Sequence, residues 1–281
     1  MSSVHTGSIG IDAFGYLVRR PRDGRIVSRF REGAAVLFGD ADDARLITLQ
    51  TVRRPFHPWA VDLRDVAALR VGVPCFSDGS CLNVGTSWTI PLNDVRVDAL
   101  TLPAWTPREA RRALGRVEDL QDVLDRAPPS SDEIFRGSPP GSLASAHPRG
   151  LLERVVGRGP GSTPSGDDYT VGRLSVLWAL VDVRPQVACQ IQEVQRLFRW
   201  ENLKERTPLG SAQMVLSATN GHFSQPLVAL IQSLGRRERP SMDVTCSPVL
   251  SLGSSSGRAT LAGIVDGLRH AAVWRPPVDR P

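Results

Sequence analysis

Between Gly157 and Asp168 the chain reads Gly-Arg-Gly-Pro-Gly-Ser-Thr-Pro-Ser-Gly-Asp-Asp, and a helical pattern follows from Tyr169 to about Val183. A glycine-rich loop feeding a helix start leaves backbone N–H groups without internal partners, which suits an anion. The residues that could hold one are Arg158, Gly159, Gly161, Thr163, Ser165 and Gly166. Thr163 or Ser165 could instead cap the helix, with Pro164 in its first turn. Asp167 and Asp168 sit where the helix dipole favours negative charge. A well-made helix start accounts for part of this. It does not account for the several hydroxyls, or for a Gly-x-Gly-Pro-Gly run that bares the backbone. The loop is neither a Walker loop, lacking Lys-Ser or Lys-Thr, nor a dinucleotide fingerprint, lacking an apolar strand before it.

A second loop of the same kind, Gly253-Ser254-Ser255-Ser256-Gly257-Arg258, opens the last helix. A flexible serine-rich turn would look the same. If the two loops meet, N–H groups and hydroxyls would hold an oxyanion or phosphate, with Arg158 and Arg258 neutralising it. Two acids in such a site would cap helices, orient the arginines, or hold a divalent cation such as magnesium that bridges to the ligand. His222, after Gly221, is the best-placed histidine for acid–base work, although a helix-terminal histidine also reads as structural. With Asp167 and Asp168 it completes the candidate catalytic set.

The elements around these loops divide the chain. Up to about Trp105 it reads as short strands and turns: 34–38 and 45–49 around a hairpin connection, then 59–63, 81–90 and 95–100. The aromatics Phe56, Trp59, Trp88 and Trp105 read as packing. His5 and His57 have no partner at spacing. Thr106-Pro107-Arg108-Glu109 is a capping box opening a helix with Ala110, Ala113, Leu114, Val117, Leu120 and Leu124 on one face. Arg111, Glu118, Asp122 and Asp125 lie on the other, as a solvated side. Residues 127–150 read as a Pro/Ser/Gly-rich linker or lid. Helices follow over 186–203, from Thr207 to Asn220, 224–234, 241–252 with a break near Pro248, and 258–272. The expected class is α+β: a β-rich, barrel- or sandwich-like domain over 1–105, a bridging helix and linker over 106–150, and an all-helical domain over 151–281.

At 281 residues, 41% hydrophobic and 22% charged, the composition is that of a globular chain. The net charge is +5, almost all of the positive charge is arginine, and Lys204 is the one lysine. The basic residues are scattered among acids, so nucleic acid is not the expected partner and a small anion fits. Cys75, Cys81, Cys189 and Cys246 form no C-x-x-C pair and have no histidine at zinc spacing. Reduced thiols, and the lack of an apolar run of membrane length or a leader pattern, predict a cytoplasmic protein.

Gly159-Pro160-Gly161-Ser162-Thr163-Pro164-Ser165-Gly166-Asp167-Asp168 resembles the G-P-G-L-T-P-S-x-D-D signature of the AllH-type family, which includes a subunit of oxamate carbamoyltransferase from allantoin catabolism. Thr207 to Pro226, with Ser211 and Gly221-His222-Phe223, is similar to that family's middle segment. Leu252 to Gly263 is similar to its L-G-H-T-S-G-x-D-T-L-x-G segment. The resemblance implies carbamoyl transfer between phosphate and an acceptor such as oxamate, within an assembly that includes an FdrA-like subunit. Carbamoyl phosphate would suit the anion cradle. Ser162 stands where leucine is usual, Ser254 where histidine is usual and Ala259 where aspartate is usual. Those departures keep a second reading open, a non-catalytic subunit that binds a small anion and regulates or scaffolds a partner. A third is an adaptor whose glycines only pack helices.

Overall fold

The computed structural model describes residues 2–3, 6–40, 42–86, 88–128, 147–238 and 240–273. Most of the expected linker, 129–146, lies outside them, as do His5 and the tail after residue 273. The chain divides into two compact units, Met1–Leu100 and Thr101–Pro281.

The first unit is one curled sheet of ten strands with a short helix, so of the two expected forms the barrel-like one describes it better. In chain order these are β1 (Ser2–Ser3), β2 (Thr6–Gly10), α1 (Ile11–Val18), β3 (Arg22–Phe30), β4 (Gly33–Phe38), β5 (Arg45–Thr51), β6 (Ala60–Leu63), β7 (Pro74–Ser77), β8 (Cys81–Val84), β9 (Trp88–Pro91) and β10 (Arg96–Asp98). Their order across the sheet is β1-β9-β8-β7-β3-β4-β5-β6-β2-β10. The expected hairpin pairs β4 with β5, from Gly33↔Gln50 to Phe38↔Arg45. The single strand expected over 81–90 is instead the hairpin β8–β9, because Gly85 turns the chain at φ 59°. Helix α1 and strand β3 were not anticipated. Inward side chains of alternating strands, among them Val36, Phe38, Ile47, Leu49 and Leu82, make the core. Trp59 meets Tyr16 edge-on at 6.0 Å, as packing rather than as a ligand cage.

His57 belongs to this unit's fabric. Its Nδ1 accepts from the N–H of Trp59 at 3.3 Å, and burial pushes its pKa down to about 4 from 6.5. The unfolded chain therefore takes up this proton before the folded one does. The stability that neutral His57 contributes is complete above 6.5 and is lost as pH falls toward 4, by up to about 1.4 kcal/mol per pH unit. Melting curves across that window should fall more steeply for the wild type than for His57→Gln. Parallel pH profiles would remove His57 as the cause.

The second unit is helical. It contains α2 (Pro107–Leu114), α3 (Val117–Arg126), α4 (Pro148–Arg154), α5 (Ser165–Leu180), α6 (Pro185–Leu197), α7 (Trp200–Lys204), α8 (Leu209–Thr219), α9 (Gln225–Gly235), α10 (Met242–Leu250) and α11 (Ser256–Val273). The capping box is present: the N–H of Glu109 donates to the Thr106 hydroxyl, and that of Thr106 to Glu109 Oε2 at 2.8 Å. The single bridging helix expected here is two helices broken at Gly115. The reason is Arg116, buried to 2% exposure, whose guanidinium donates to the carbonyls of Ser233, Arg236 and Glu238. It satisfies the open C-terminus of α9. Pro148 opens α4 inside the stretch expected to be linker. The helix expected over 186–203 ends at Phe198 (φ −88°, ψ 52°) and restarts as α7. Pro248, in contrast, is carried inside α10 without a break.

Helix α5 is the axis of this unit, with fourteen of its sixteen residues buried. It starts four residues earlier than its periodicity indicated, because its first turn, Ser165 to Asp168, is buried as well. Helix α11 lies against it almost backbone to backbone. A Cβ on Gly172 would fall 2.1 Å from the Thr260 carbonyl oxygen, and one on Gly263 would fall 2.0 Å from that of Tyr169. Contacts run from Thr163–Ser256 at one end to Val176–Gly267 toward the other, so the pair runs parallel.

Candidate functional site

Parallel packing brings the two loops together. The hydroxyls of Thr163 and Ser256 lie 3.3 Å apart, across 93 residues of sequence. Neither Thr163 nor Ser165 caps α5. Pro164 occupies the N-cap position with no side-chain cap, Ser165 is the first helical residue and is buried, and Thr163 turns to Ser256 instead. Gly157, Gly159, Gly161 and Gly253 all have positive φ, between 62° and 113°. At Gly157 the backbone also passes tightly, since a Cβ there would lie 2.0 Å from the Arg206 carbonyl oxygen.

The first N–H groups of α5 point inward rather than outward. That of Gly166 donates to Arg158 O at 2.8 Å and that of Asp167 to Pro164 O at 2.9 Å. On α11, Gly257 N–H is likewise taken by Leu252 O at 2.9 Å. The available donors lie one step out. Among the described residues, the N–H groups of Gly159, Gly161, Ser162, Ser254 and Ser255 meet no backbone acceptor. Ser162, Ser254 and the side chain of Arg158 are exposed beside them, and Ser255 and Ser256 are half-buried.

The acids divide. Asp167 is fully buried, and its carboxylate accepts from Gly157 N–H at 2.7 Å, from Ser211 Oγ at 2.5 Å and from Thr207 Oγ1. Burial pushes its pKa up, while the three donors pull it down. The residue thus ties the glycine loop to the start of α8. Asp168, 5% exposed, is also inside.

Two expected partners lie elsewhere. The guanidinium of Arg258 donates to the carbonyls of Leu124 and Ala127, closing the end of α3. His222 bridges to Thr101 just past α8. The adjacent Gly221 packs on Trp178, near the far end of α5. At 1.5 Å per residue, Trp178 stands about 16 Å along the helix from Asp167. The structure therefore gathers Arg158, Gly159, Gly161, Thr163, Ser254, Ser255 and Ser256 at one place, sets Ser165, Gly166, Asp167, Asp168 and Gly257 beneath them, and leaves Arg258 and His222 apart.

A buried polar group between the two helices escaped the sequence reading. Tyr169 Oη donates to Asp266 Oδ2 at 2.5 Å, and Arg173 Nη1 donates to the same oxygen at 2.8 Å. The pKa of His270, one turn beyond Asp266, is pushed below 6.5 by burial first and by Arg173 second, with Asp266 opposing. The only sequence signal was a tyrosine and an arginine four residues apart on a helix with a buried face. Among the described residues, no three His, Cys, Asp or Glu side chains gather as a metal site, and no helix is long and apolar enough to cross a membrane.

No solved structure matches the chain. Residues 155–268, which include both loops, helix α5 and most of helix α11, match the family model of the oxamate carbamoyltransferase subunit AllH. Over that span the chain is similar to the AllH family.

Proposed function

We propose that the chain is a subunit of an oxamate-carbamoyltransferase-like enzyme and binds carbamoyl phosphate, or a related small anion, between its two Gly/Ser loops. The observation that carries this is the Thr163–Ser256 contact at the head of two parallel helices. Two helix N-termini side by side put two partial positive charges in one place. Helix α5 offsets its own with Asp167 and Asp168, whereas α11 has no acid in its first turn. An anion there, held by loop N–H groups, the serines and Arg158, would relieve that imbalance. Other subunits, one of them FdrA-like, would supply acceptor and catalytic groups. Magnesium would enter with the ligand's phosphate.

A second reading, a non-catalytic anion-binding subunit, is favoured by one observation. Asp167 is committed to internal bonds and His222 stands far from the loops, so two of the three proposed acid–base groups do not face the anion position.

Thermal-shift titration with carbamoyl phosphate, phosphate and oxamate, with and without magnesium, tests the site. Ligand at about 100 times its dissociation constant should stabilise the fold by about 2.7 kcal/mol. Arg158→Ala with Ser162→Ala, both exposed, should weaken that binding about tenfold or more while leaving the unliganded melt unchanged. No shift from any of the three ligands would overturn a preformed site in the isolated chain.

A further inference from the structure

We infer that Tyr169, Arg173 and Asp266 are positioning residues: their buried polar group sets the height at which α11 stands against α5, and so holds the two loops opposite each other. Asp266 Oδ2 accepts from Tyr169 Oη at 2.5 Å and from Arg173 Nη1 at 2.8 Å. Among the described residues this is the one ion pair between the two helices. Arg173 and Asp266 are 93 residues apart in sequence, the same separation as Thr163 and Ser256. In parallel helices of equal rise, equal separations mark one register. The ion pair and the loop contact therefore report the same alignment. Asp266 lies ten residues beyond Ser256 on α11, about 15 Å along the axis.

Stability alone does not account for this group. All three side chains are buried, and Asp266 Oδ1 has no hydrogen-bond partner among the described residues. A buried ion pair repays its desolvation only when the remaining lone pairs are satisfied, and apolar side chains of similar volume often serve as well or better. The best-attested use of such a pair is to fix registry. The glycines of the interface fix how closely the helices approach, and fix their height less well. Gly263 and Gly267 stand one turn apart, so a slide of one turn still sets a glycine against the Tyr169 carbonyl. Asp266 has no such double, with Ala262 one turn before it and His270 one turn after. Either residue in its place leaves the buried Arg173 guanidinium without a counter-charge.

The register decides what the loops can do together. Arg158, Gly159, Gly161 and Thr163 lead into α5, whereas Ser254, Ser255 and Ser256 lead into α11. A displacement of α11 by one residue's rise, about 1.5 Å, would part donors that must converge on one small anion. That the loops hold an anion is the reading proposed above, and the positioning role rests on it. The register itself needs no ligand and is measured without one.

Cross-linking in the full chain reads the register directly. Thr163→Cys with Ser256→Cys puts sulfur where two hydroxyls lie 3.3 Å apart; Cys81 and Cys189, the two cysteines that are not buried, are changed to Ser. The rate of disulfide closure in this folded parent reports how often the loops stand opposite each other. Adding Tyr169→Phe, Arg173→Met and Asp266→Leu together should slow closure about tenfold or more, while the melting temperature holds or rises. Arg173→Lys keeps the charge and should close near the parent rate. Asp266→Asn keeps the shape, removes the charge, and should slow closure about threefold or more. Closure at the parent rate in the folded apolar variant, or in Asp266→Asn if the apolar variant fails to fold, would overturn the proposal, because packing alone would then set the register. So would a parent that fails to close, or an apolar variant that loses stability yet closes as fast. Thermal shift with phosphate and carbamoyl phosphate, on the same variants without the added cysteines, separates the two ideas. The shift should be lost with the register; if wild type shows none either, the anion reading fails and the cross-linking result stands.

Discussion

Asp167→Ala should lower the stability of the helical unit by about 3–5 kcal/mol. The substitution strands the Gly157 N–H and the hydroxyls of Thr207 and Ser211, all of which the buried carboxylate accepts. Each unsatisfied buried donor costs about 1–3 kcal/mol, and the two hydroxyls can rotate toward other acceptors, which trims the sum. Asp167→Asn keeps an acceptor for Gly157 and should cost about 1–2 kcal/mol. Burial raises the Asp167 pKa above 3.8, so the folded chain holds this proton more tightly than the unfolded one. The contribution of the acid is fullest below 3.8 and declines as pH rises through the raised value, so the gap to the asparagine variant should narrow as pH climbs. Urea unfolding at several pH values measures all three quantities. An alanine variant within about 0.5 kcal/mol of wild type would show that Asp167 does not fasten the loop.

Gly263→Ala and Gly172→Ala should each destabilise the same unit by about 3 kcal/mol or more, against the expectation from helix propensity. In an exposed helix, alanine in place of glycine gains about 1 kcal/mol. Here the new methyl group would meet a backbone oxygen at 2.0 or 2.1 Å, and neither helix can yield without parting from the other. Gly15→Ala in α1 is the control, since its Cβ would meet nothing within 4 Å, and it should gain about 0.5–1 kcal/mol. Denaturant midpoints for the three variants decide the sign. A gain at Gly263 would mean that the helices stand farther apart. Partial separation of α5 and α11 should also weaken any anion bound by both loops, because it would pull Ser256 away from Thr163.

What the sequence made legible was local. The capping box at Thr106 and Glu109, the β4–β5 hairpin and the glycine stop after α8 depend on neighbouring residues, and each is found where it was read. Helix α1 was missed because Gly15 and the preceding glycines of β2 dilute its signal. The break at Gly115 was missed because its cause, the hold of Arg116 on α9, lies more than a hundred residues away. The site follows the same division. Both loops could be recognised from composition, but their meeting depends on glycines at 172 and 263 that only mutual packing explains. Asp167 and Asp168 look equivalent in sequence. Adjacent helical residues point about 100° apart, and that turn takes Asp167 to Thr207 and Ser211. Arg258 looked like a charge for the loop, yet the carbonyls at the end of α3 claim it.

The burial of α5 on every side has a kinetic consequence. A helix enclosed all round opens only when its neighbours do, so its amides should exchange with solvent near the rate of whole-unit unfolding. The Gly159–Ser162 run, exposed or half-buried and bonded to no backbone acceptor, should exchange almost at once. The boundary between the slowest and the fastest protons of the helical unit then falls across Pro164, within a few residues. A ligand at the loops would be seated on the part of the unit that is last to open, and the ordering entropy it must overcome is confined to the short rim above.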